Sequence, residues 1–283
     1  MLKSHLPKLM QENTETYISG GDVLSAPGIE AYIKTPGVFC IEVRKTVTST
    51  NTLLREMAAA GVPEGTVLAA AEQTAGRGRQ KRSFYSPEGH GAYFSLLLRP
   101  ESQTRDCALI TSAAAVAAAR AIEEIIGVNV GIKWVNDLYA QGKKVCGILT
   151  EAVFGMESGF VESAVLGIGI NITKPENGFP PEIADIAGAL TDRTRGAGGE
   201  RCRLIAAALD NFWGYYRNLA AREFLDEYRA RSIVPGENIY VISDESRRPA
   251  LAIAIDDNCG LIVRFEDGET ATLNSGEVSI KRM

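Results

Sequence analysis

Four cationic side chains, Arg77, Arg79, Lys81 and Arg82, fall within six positions of the stretch AEQTAGRGRQKRSFYSPEGHGAY, in a chain whose formal net charge is -5. Gly76 and Gly78 stand among them, so the backbone can turn tightly and bring its amides close to a ligand. Guanidinium groups offer rigid forks of N–H donors that match a carboxylate or a phosphate. A solvated basic loop between two strands would have the same composition, so this stretch alone leaves both readings open. Two further polar clusters add to it. Ser49, Thr50 and Asn51 stand where a strand-like run passes into a helical one, where they can cap the helix or clasp a small polar ligand. Residues 132–151, IKWVNDLYAQGKKVCGILTE, bring Trp134, Asn136, Asp137 and Lys144 together. Such a set suits reaction at an activated carboxylate. Lysine and arginines neutralise a carboxylate and a nucleotide α-phosphate, an acidic residue helps hold Mg2+, and Trp134 can stack or pack on adenine. The glycines match neither GxGxxG opening a helix after a strand nor GxxxxGK[ST], so a Rossmann or P-loop reading lacks its required context.

The elements that must position these groups follow from periodicity. Residues 41–47, 66–73, 92–99, 144–154 and 160–172 read as strands, the last with Gly167 and Gly169 bare where something must approach closely. Helical period marks a short segment from Val23, a helix within TSTNTLLREMAAAG (48–61) stopped by Gly61, and a long alanine-rich helix from about Thr104 to Ile126 ended by Gly127. A small helix is expected near Ile183 to Leu190, and two more over Arg203 to Leu219 and Ala221 to Ala230. After Pro235-Gly236 the pattern changes to short alternating runs separated by DESRRP, DDNC and EDGE, which reads as a small antiparallel barrel or sandwich. The expected fold class is therefore α+β, without regular βαβ alternation. It divides into a short leader over residues 1–20, a larger domain of mixed helices and strands over 21–232 and a small β domain over 233–283.

Composition sets outer bounds. The chain has 283 residues, 45% hydrophobic and 23% charged, and no apolar run approaches the ~20 residues of a membrane span. The N-terminal residues lack a signal peptide's apolar segment, so a cytoplasmic location is expected. Five scattered cysteines without CxxC spacing disfavour a disulfide scaffold or a structural zinc site, and two histidines cannot build a His-rich metal centre. Lys133 reads as ordinary surface charge, His90 as a loop residue and Cys146 as a packed small side chain. Overall acidity weighs against a nucleic-acid-binding module, the reading of another class that the basic loop would otherwise allow.

The ordered set TSTN (48–51), AEQTAGRGR (71–79), SFYSP (83–87), YFSLLLRP (93–100), IKWVNDLY (132–139), KKVCGILTE (143–151), GIGINI (167–172) and LNSGEVS (273–279) resembles the biotin–protein ligases over about residues 21–283. The resemblance implies a mixed-sheet catalytic domain followed by an SH3-like β-barrel. It implies ATP-dependent activation of biotin to biotinyl-5'-AMP, then transfer to a lysine of a biotin carboxyl carrier protein or domain. ATP with Mg2+ and biotin enter as substrates, with no tightly bound cofactor. Carried over by position, Ser49, Thr50 and Gln73 resemble the residues contacting the biotin ureido ring, with Asn51 and Gly167 beside them. Gly76, Arg77, Arg79 and Arg82 resemble the loop that folds over biotin and adenylate. Lys144 matches the lysine that reaches the biotin carboxylate and the α-phosphate, so Lys144, Arg79 and Arg82 are the expected catalytic set. Trp134, Asn136 and Asn171, with Arg79, match the nucleotide side, Gly147 lies against the ligand, and Asp137 is the candidate for organising Mg2+.

Three departures qualify the match. Val135 stands where the family often has proline, and Lys81 where a glycine commonly precedes the arginine. About twenty residues precede the segment from Val23, too few for the winged helix-turn-helix of repressor-type members, so a ligase without specific DNA binding is expected. The resemblance permits a homodimer through the central sheet and implies no membrane partner. A lipoate–protein ligase, related in fold, is the nearest enzymatic alternative; the tight GRGR loop and the terminal β segment favour biotin.

Overall fold

The computed structural model describes residues 16–19, 22–100, 107–154, 161–191, 199–242 and 246–280. The chain forms β1 (Tyr17–Ser19), β2 (Asp22–Leu24), α1 (Ala26–Glu30), β3 (Cys40–Val47), α2 (Thr50–Ala59), β4 (Thr66–Gln73) and β5 (Gly91–Leu98). These are followed by α3 (Ala108–Ile126), β6 (Gly131–Lys133), β7 (Asp137–Ala140), β8 (Lys143–Phe154), β9 (Val161–Asn171), α4 (Glu200–Tyr216) and α5 (Leu225–Arg231). The last strands are β10 (Asn238–Ile242), β11 (Arg247–Ile255), β12 (Leu261–Phe265), β13 (Thr270–Leu273) and β14 (Glu277–Ile280).

Seven strands build one mixed sheet in the order β3-β4-β5-β9-β8-β7-β6. The β3–β4 pair is parallel, because α2 crosses between them, and the remaining pairs are antiparallel. Both faces of the sheet's middle are covered, which is why β4 and β5 read as near-continuous apolar runs. Along β4, Val67, Ala69 and Ala71 face the main core with α3 and α4, while Leu68 turns to the other side against Leu54 and Met57 of α2. The small side chains of α3, Ala113 to Ala119, are fully buried, so this helix lies wedged between the sheet and α4. A buried ion pair, Asp22 to Arg201 at 2.8 Å, ties β2 to the first turn of α4.

The α+β mixed sheet agrees with expectation; the terminal barrel does not. Strands β10–β14 form a five-stranded antiparallel sheet in the order β13-β12-β11-β10-β14. Among the described residues β13 pairs with β12 alone and β14 with β10 alone, so the sheet keeps two open edges and never closes on itself. Short alternating runs specify antiparallel strands with one buried face, and an open sheet has that pattern as well as a barrel does. The inner face is buried instead by packing Ile239, Ala252, Leu261 and Val263 into the main core.

Smaller differences have local causes. Of the expected helix at Ile183–Leu190 only residues 183–186 turn, and Ala187 instead forms a bridge with Lys144. The segment from Val23 begins as strand, and its helix starts at Ala26 after Ser25 caps the Gly28 N–H. The long helix is described from Ala108, so its expected start at Thr104 lies outside the described residues, as does most of the 1–20 leader.

Candidate active site

Register on β8 and β9 sets out the site. Gly147 faces Gly169 and Leu149 faces Gly167 across this antiparallel pair. From Gly167 to Asn171 the strand advances about 13 Å, and that line is the floor of a cavity of about 1070 Å³. Every candidate residue except Gly76 lines it. The floor is bare because neighbours occupy the space side chains would need. A Cβ on Gly169 would stand 2.5 Å from the Phe84 ring, and one on Gly167 would collide with Asn51 Oδ1.

At the Gly167 end, Ser49 caps α2 from extended backbone and Thr50 opens the helix. Gln73 Oε1 accepts from the Thr50 N–H at 2.9 Å and from the Thr50 hydroxyl at 3.1 Å, while its Nε2 donates to Ser86 Oγ at 2.9 Å. Ser95 Oγ lies 2.7 Å from Thr50 Oγ1 and 2.6 Å from Asn51 Oδ1. Asn51 Nδ2 donates to Leu149 O at 3.3 Å and to Glu151 Oε2 at 3.0 Å. Asn51 therefore has its hydrogen-bonding capacity taken up by protein, and the group is a preorganised polar clasp rather than a set of free side chains.

The other end is organised by an irregularity. On a regular strand Lys144 and Gly147, three positions apart, would point to opposite faces. The β7–β8 register shifts between Leu138 and Tyr139, and Lys144 turns to the cavity, its Nζ 3.3 Å from where a Gly147 Cβ would stand. The ammonium pairs with Asp137 Oδ1 at 2.7 Å. Asn136 Nδ2 donates to Ile148 O at 2.8 Å and Asn171 Nδ2 to Gly188 O at 3.0 Å, so both amides are held in place. Trp134 is 4% exposed, and its indole N–H donates to Cys259 O at 2.8 Å, joining the seven-stranded sheet to the terminal sheet while the residue also lines the cavity.

The glycine–arginine loop forms the roof. It contains a 3-10 turn at Arg79–Lys81, and the Phe84 N–H donates to Gly76 O at 2.8 Å, which gives Gly76 a role in closing the loop rather than in lining the cavity. Each arginine reaches a different element. Arg77 pairs with Glu151 of β8 at 3.0 Å, Arg79 donates to Asn136 Oδ1 at 3.3 Å, and Arg82 makes a two-pronged pair with Glu277 of β14 at 2.9 and 2.5 Å. Burial lowers the Arg79 pKa from its ordinary value, with Asp137 opposing.

Sequence reasoning missed several participants. Lys133 is half-buried on the cavity wall with its ammonium 5.5 Å from the Tyr139 ring centre, and burial lowers its pKa. Glu151 and Glu277 stand inside recognisable motifs, but nothing local marks them as partners of loop arginines. Phe84 lies over Gly147 and Gly169; the alternation of bare glycines was the available signal. Cys146 is buried and its thiol pKa is pushed well up by burial, so it packs as expected. His90 Nδ1 lies 3.0 Å from Thr173 Oγ1 in a loop, again as expected. Among the described residues no three His, Cys, Asp or Glu side chains cluster as a metal cage.

Comparison with known proteins bears on what such a cavity accepts. The family model described as "Biotin/lipoate A/B protein ligase family" matches residues 43–171, and that described as "Biotin protein ligase C terminal domain" matches 236–281. A bifunctional ligase/repressor BirA from Bacillus subtilis (strain 168) is 36% identical over 225 residues, covering 78% of this chain and 68% of that protein. A biotin–[acetyl-CoA-carboxylase] ligase from Mycobacterium tuberculosis is 30% identical over 247 residues, covering 84% and 88%. The solved biotin protein ligase from Aquifex aeolicus in complex with biotin and ATP superposes with a TM-score of 0.68 at 28% identity, covering 86% of this chain and 99% of that one.

Proposed function

The chain belongs to the biotin–protein ligase family, and from that premise we propose how its cavity joins biotin to ATP and passes the biotin to a carrier protein. A biotin carboxylate oxygen attacks the α-phosphorus of ATP, and the bond to the β-phosphate oxygen breaks. Biotinyl-5'-AMP and pyrophosphate result. An acceptor lysine amine of a biotin carboxyl carrier protein then attacks the acyl carbon, the acyl–phosphate bond breaks, and AMP leaves as the amine loses its proton.

The observation that carries the reading is the order of groups along the floor. The clasp of Ser49, Thr50, Asn51 and Gln73 takes the biotin ring at the Gly167 end. The acid then extends over Gly147 toward Lys144, which lies between it and the nucleotide group of Asn136, Asn171 and Trp134. Lys144 stabilises negative charge as it moves from carboxylate and α-phosphate to the departing pyrophosphate. Arg79 and Arg82 act from the roof, and Arg77 with Gly76 closes the loop over the mixed anhydride, keeping water from it. Magnesium arrives with ATP. Such an ion usually takes one or two carboxylates, the rest of its shell coming from phosphates and water. Asp137, which pairs with Lys144, is its proposed contact.

The division at residues 232/233 is supported by two sheets that share no strand. Five free cysteines accord with a cytoplasmic location, and no helix among the described residues is long and apolar enough to cross a membrane. Operator binding is not part of the reading, and a homodimer rests on resemblance alone; sedimentation with and without adenylate decides the latter. Biotin-dependent exchange of pyrophosphate into ATP tests the chemistry. We expect exchange with biotin and not with lipoate; folded protein that exchanges with neither, or with lipoate alone, would overturn the assignment.

A further inference from the structure

Beyond β9 the chain runs into a single helical turn, with the Ala187 N–H donating to Ile183 O at 2.7 Å and the Ile186 N–H to the same carbonyl at 2.9 Å. A turn that stops after one repeat leaves its last carbonyl oxygens without helical partners. Lys143 supplies them: its Nζ donates to Ala184 O at 3.2 Å and to Asp185 O at 2.6 Å. The same stretch is laced to the start of β8 by the Lys144 N–H to Ile186 O and the Gly188 N–H to Lys144 O, each 2.8 Å. Gly188 lets the two chains meet, since a Cβ there would stand 2.5 Å from Lys143 Cβ. Adjacent lysines thus play different parts. Lys144 faces the cavity and Lys143 does not, but the turn that Lys143 holds contributes Ile183, Asp185, Ile186 and Ala187 to the wall. Ala184 and Asp185 are exposed, and Ile186 is 53% exposed, so apolar burial does little to hold this turn and its attachment rests on these hydrogen bonds.

We propose that Lys143 is a positioning residue whose ammonium keeps the 183–187 turn over the nucleotide end of the cavity, and thereby retains the acyl-adenylate between the two half-reactions. The inference rests on the biotin-activating reading above. Lysine suits this role because its three donors swivel on a flexible stem and can serve two carbonyls at once, with hydrogen bonds strengthened by the charge. Asn171, proposed on the nucleotide side, donates to Gly188 O, so the clasped segment and that group move together.

The test compares the wild type with Lys143→Met and Lys143→Arg. Wild-type pyrophosphate exchange is measured first; its absence would sink the underlying reading, whereas its presence leaves Lys143 to be judged alone. Labelled biotinyl-5'-AMP is then formed without acceptor, and its release is followed together with the KM for ATP. In Lys143→Met, release and KM are each expected to rise about tenfold, the size of effect when a charge-assisted hydrogen bond is lost. The single-turnover rate at saturating ATP should stay within about threefold of wild type, because the reacting atoms are untouched. Lys143→Arg, which still reaches the carbonyls with a cation, should recover most of the retention. Release from Lys143→Met within about twofold of wild type would overturn the proposal. So would a slowed single turnover with an unchanged KM, or an arginine variant as leaky as the methionine one. If Lys143→Met melts before assay, Lys143→Gln, which keeps an N–H donor, is read for the same quantities and by the same limits.

Discussion

The Lys144 side chain is 26% exposed and pairs with an Asp137 side chain that is 21% exposed, so the pair is shielded enough for its charge to act strongly on a ligand and open enough to meet one. Replacing Lys144 by alanine removes a preorganised cation and leaves the Asp137 carboxylate, on the proposed phosphate path, as an uncompensated negative charge. We expect single-turnover adenylate formation to fall about 10²–10³-fold. Lys144→Arg should recover only part of this, since a longer planar fork replaces a compact point charge. An alanine variant with unchanged circular dichroism and a rate within about threefold of wild type would take Lys144 out of the chemistry. Asp137 is best probed in that background, because its observed partner is the lysine itself.

At the scale of elements, the β8–β9 pair does more than carry residues. Its glycines form a strip onto which Phe84 and Asn51 descend from the loop and from α2. Asn51 cannot yield, being held by Ser95, Leu149 and Glu151 at once. Gly167→Ala would therefore drive a methyl into a pinned amide, and a cost of about 1–3 kcal/mol is expected, as for overpacking elsewhere. Thermal unfolding reads the stability, and a biotin titration should show weaker binding as the clasp is displaced. A variant that binds biotin and melts like wild type would show that α2 can shift, contrary to its hydrogen bonding. The roof behaves as an element too, since Arg77, Arg79 and Arg82 tie it to β8, to the residue before β7 and to β14.

At the scale of the molecule, the two sheets share one apolar core and are joined at the site by the Trp134 indole on Cys259 and by the Arg82–Glu277 pair. Outside the cavity lining, Arg231 of α5 pairs with Glu123 of α3 through two hydrogen bonds of 2.5 and 2.7 Å. The Arg231 hydrogen bonds hold the Glu123 carboxyl below its ordinary pKa of 4.5, burial opposing. A carboxylate whose folded pKa is depressed stabilises the fold above its unfolded pKa, and that contribution is lost as pH falls through the lower folded value. Glu123→Gln should thus cost about 1–2 kcal/mol at pH 7 and little once the wild-type carboxyl is protonated. Urea melts from pH 7 downward should show the two proteins converging in acid; a constant gap would mean that packing, not charge, joins the helices.

Much of this was legible in the sequence, because local patterning reports what is local. Strands β3, β4, β5, β8 and β9 and helices α2 and α3 follow from periodicity, with Ser49 and Gly127 as their punctuation. The loop arginines, Lys144 and the Ser49–Asn51 cluster were marked by residue type and by a family resemblance carried in ordered motifs. What the sequence could not state was pairing. Glu151, Glu277 and Ser95 lie 74, 195 and 45 residues from their partners Arg77, Arg82 and Thr50, and nothing in a chain read locally ties such positions together. The expected closure of the terminal strands failed for the same reason: alternation tells which face is buried but not whether β13 meets β14. Lys144 itself reaches the cavity through a register shift against β7, and a shift in register is a property of two strands that neither one's residues display.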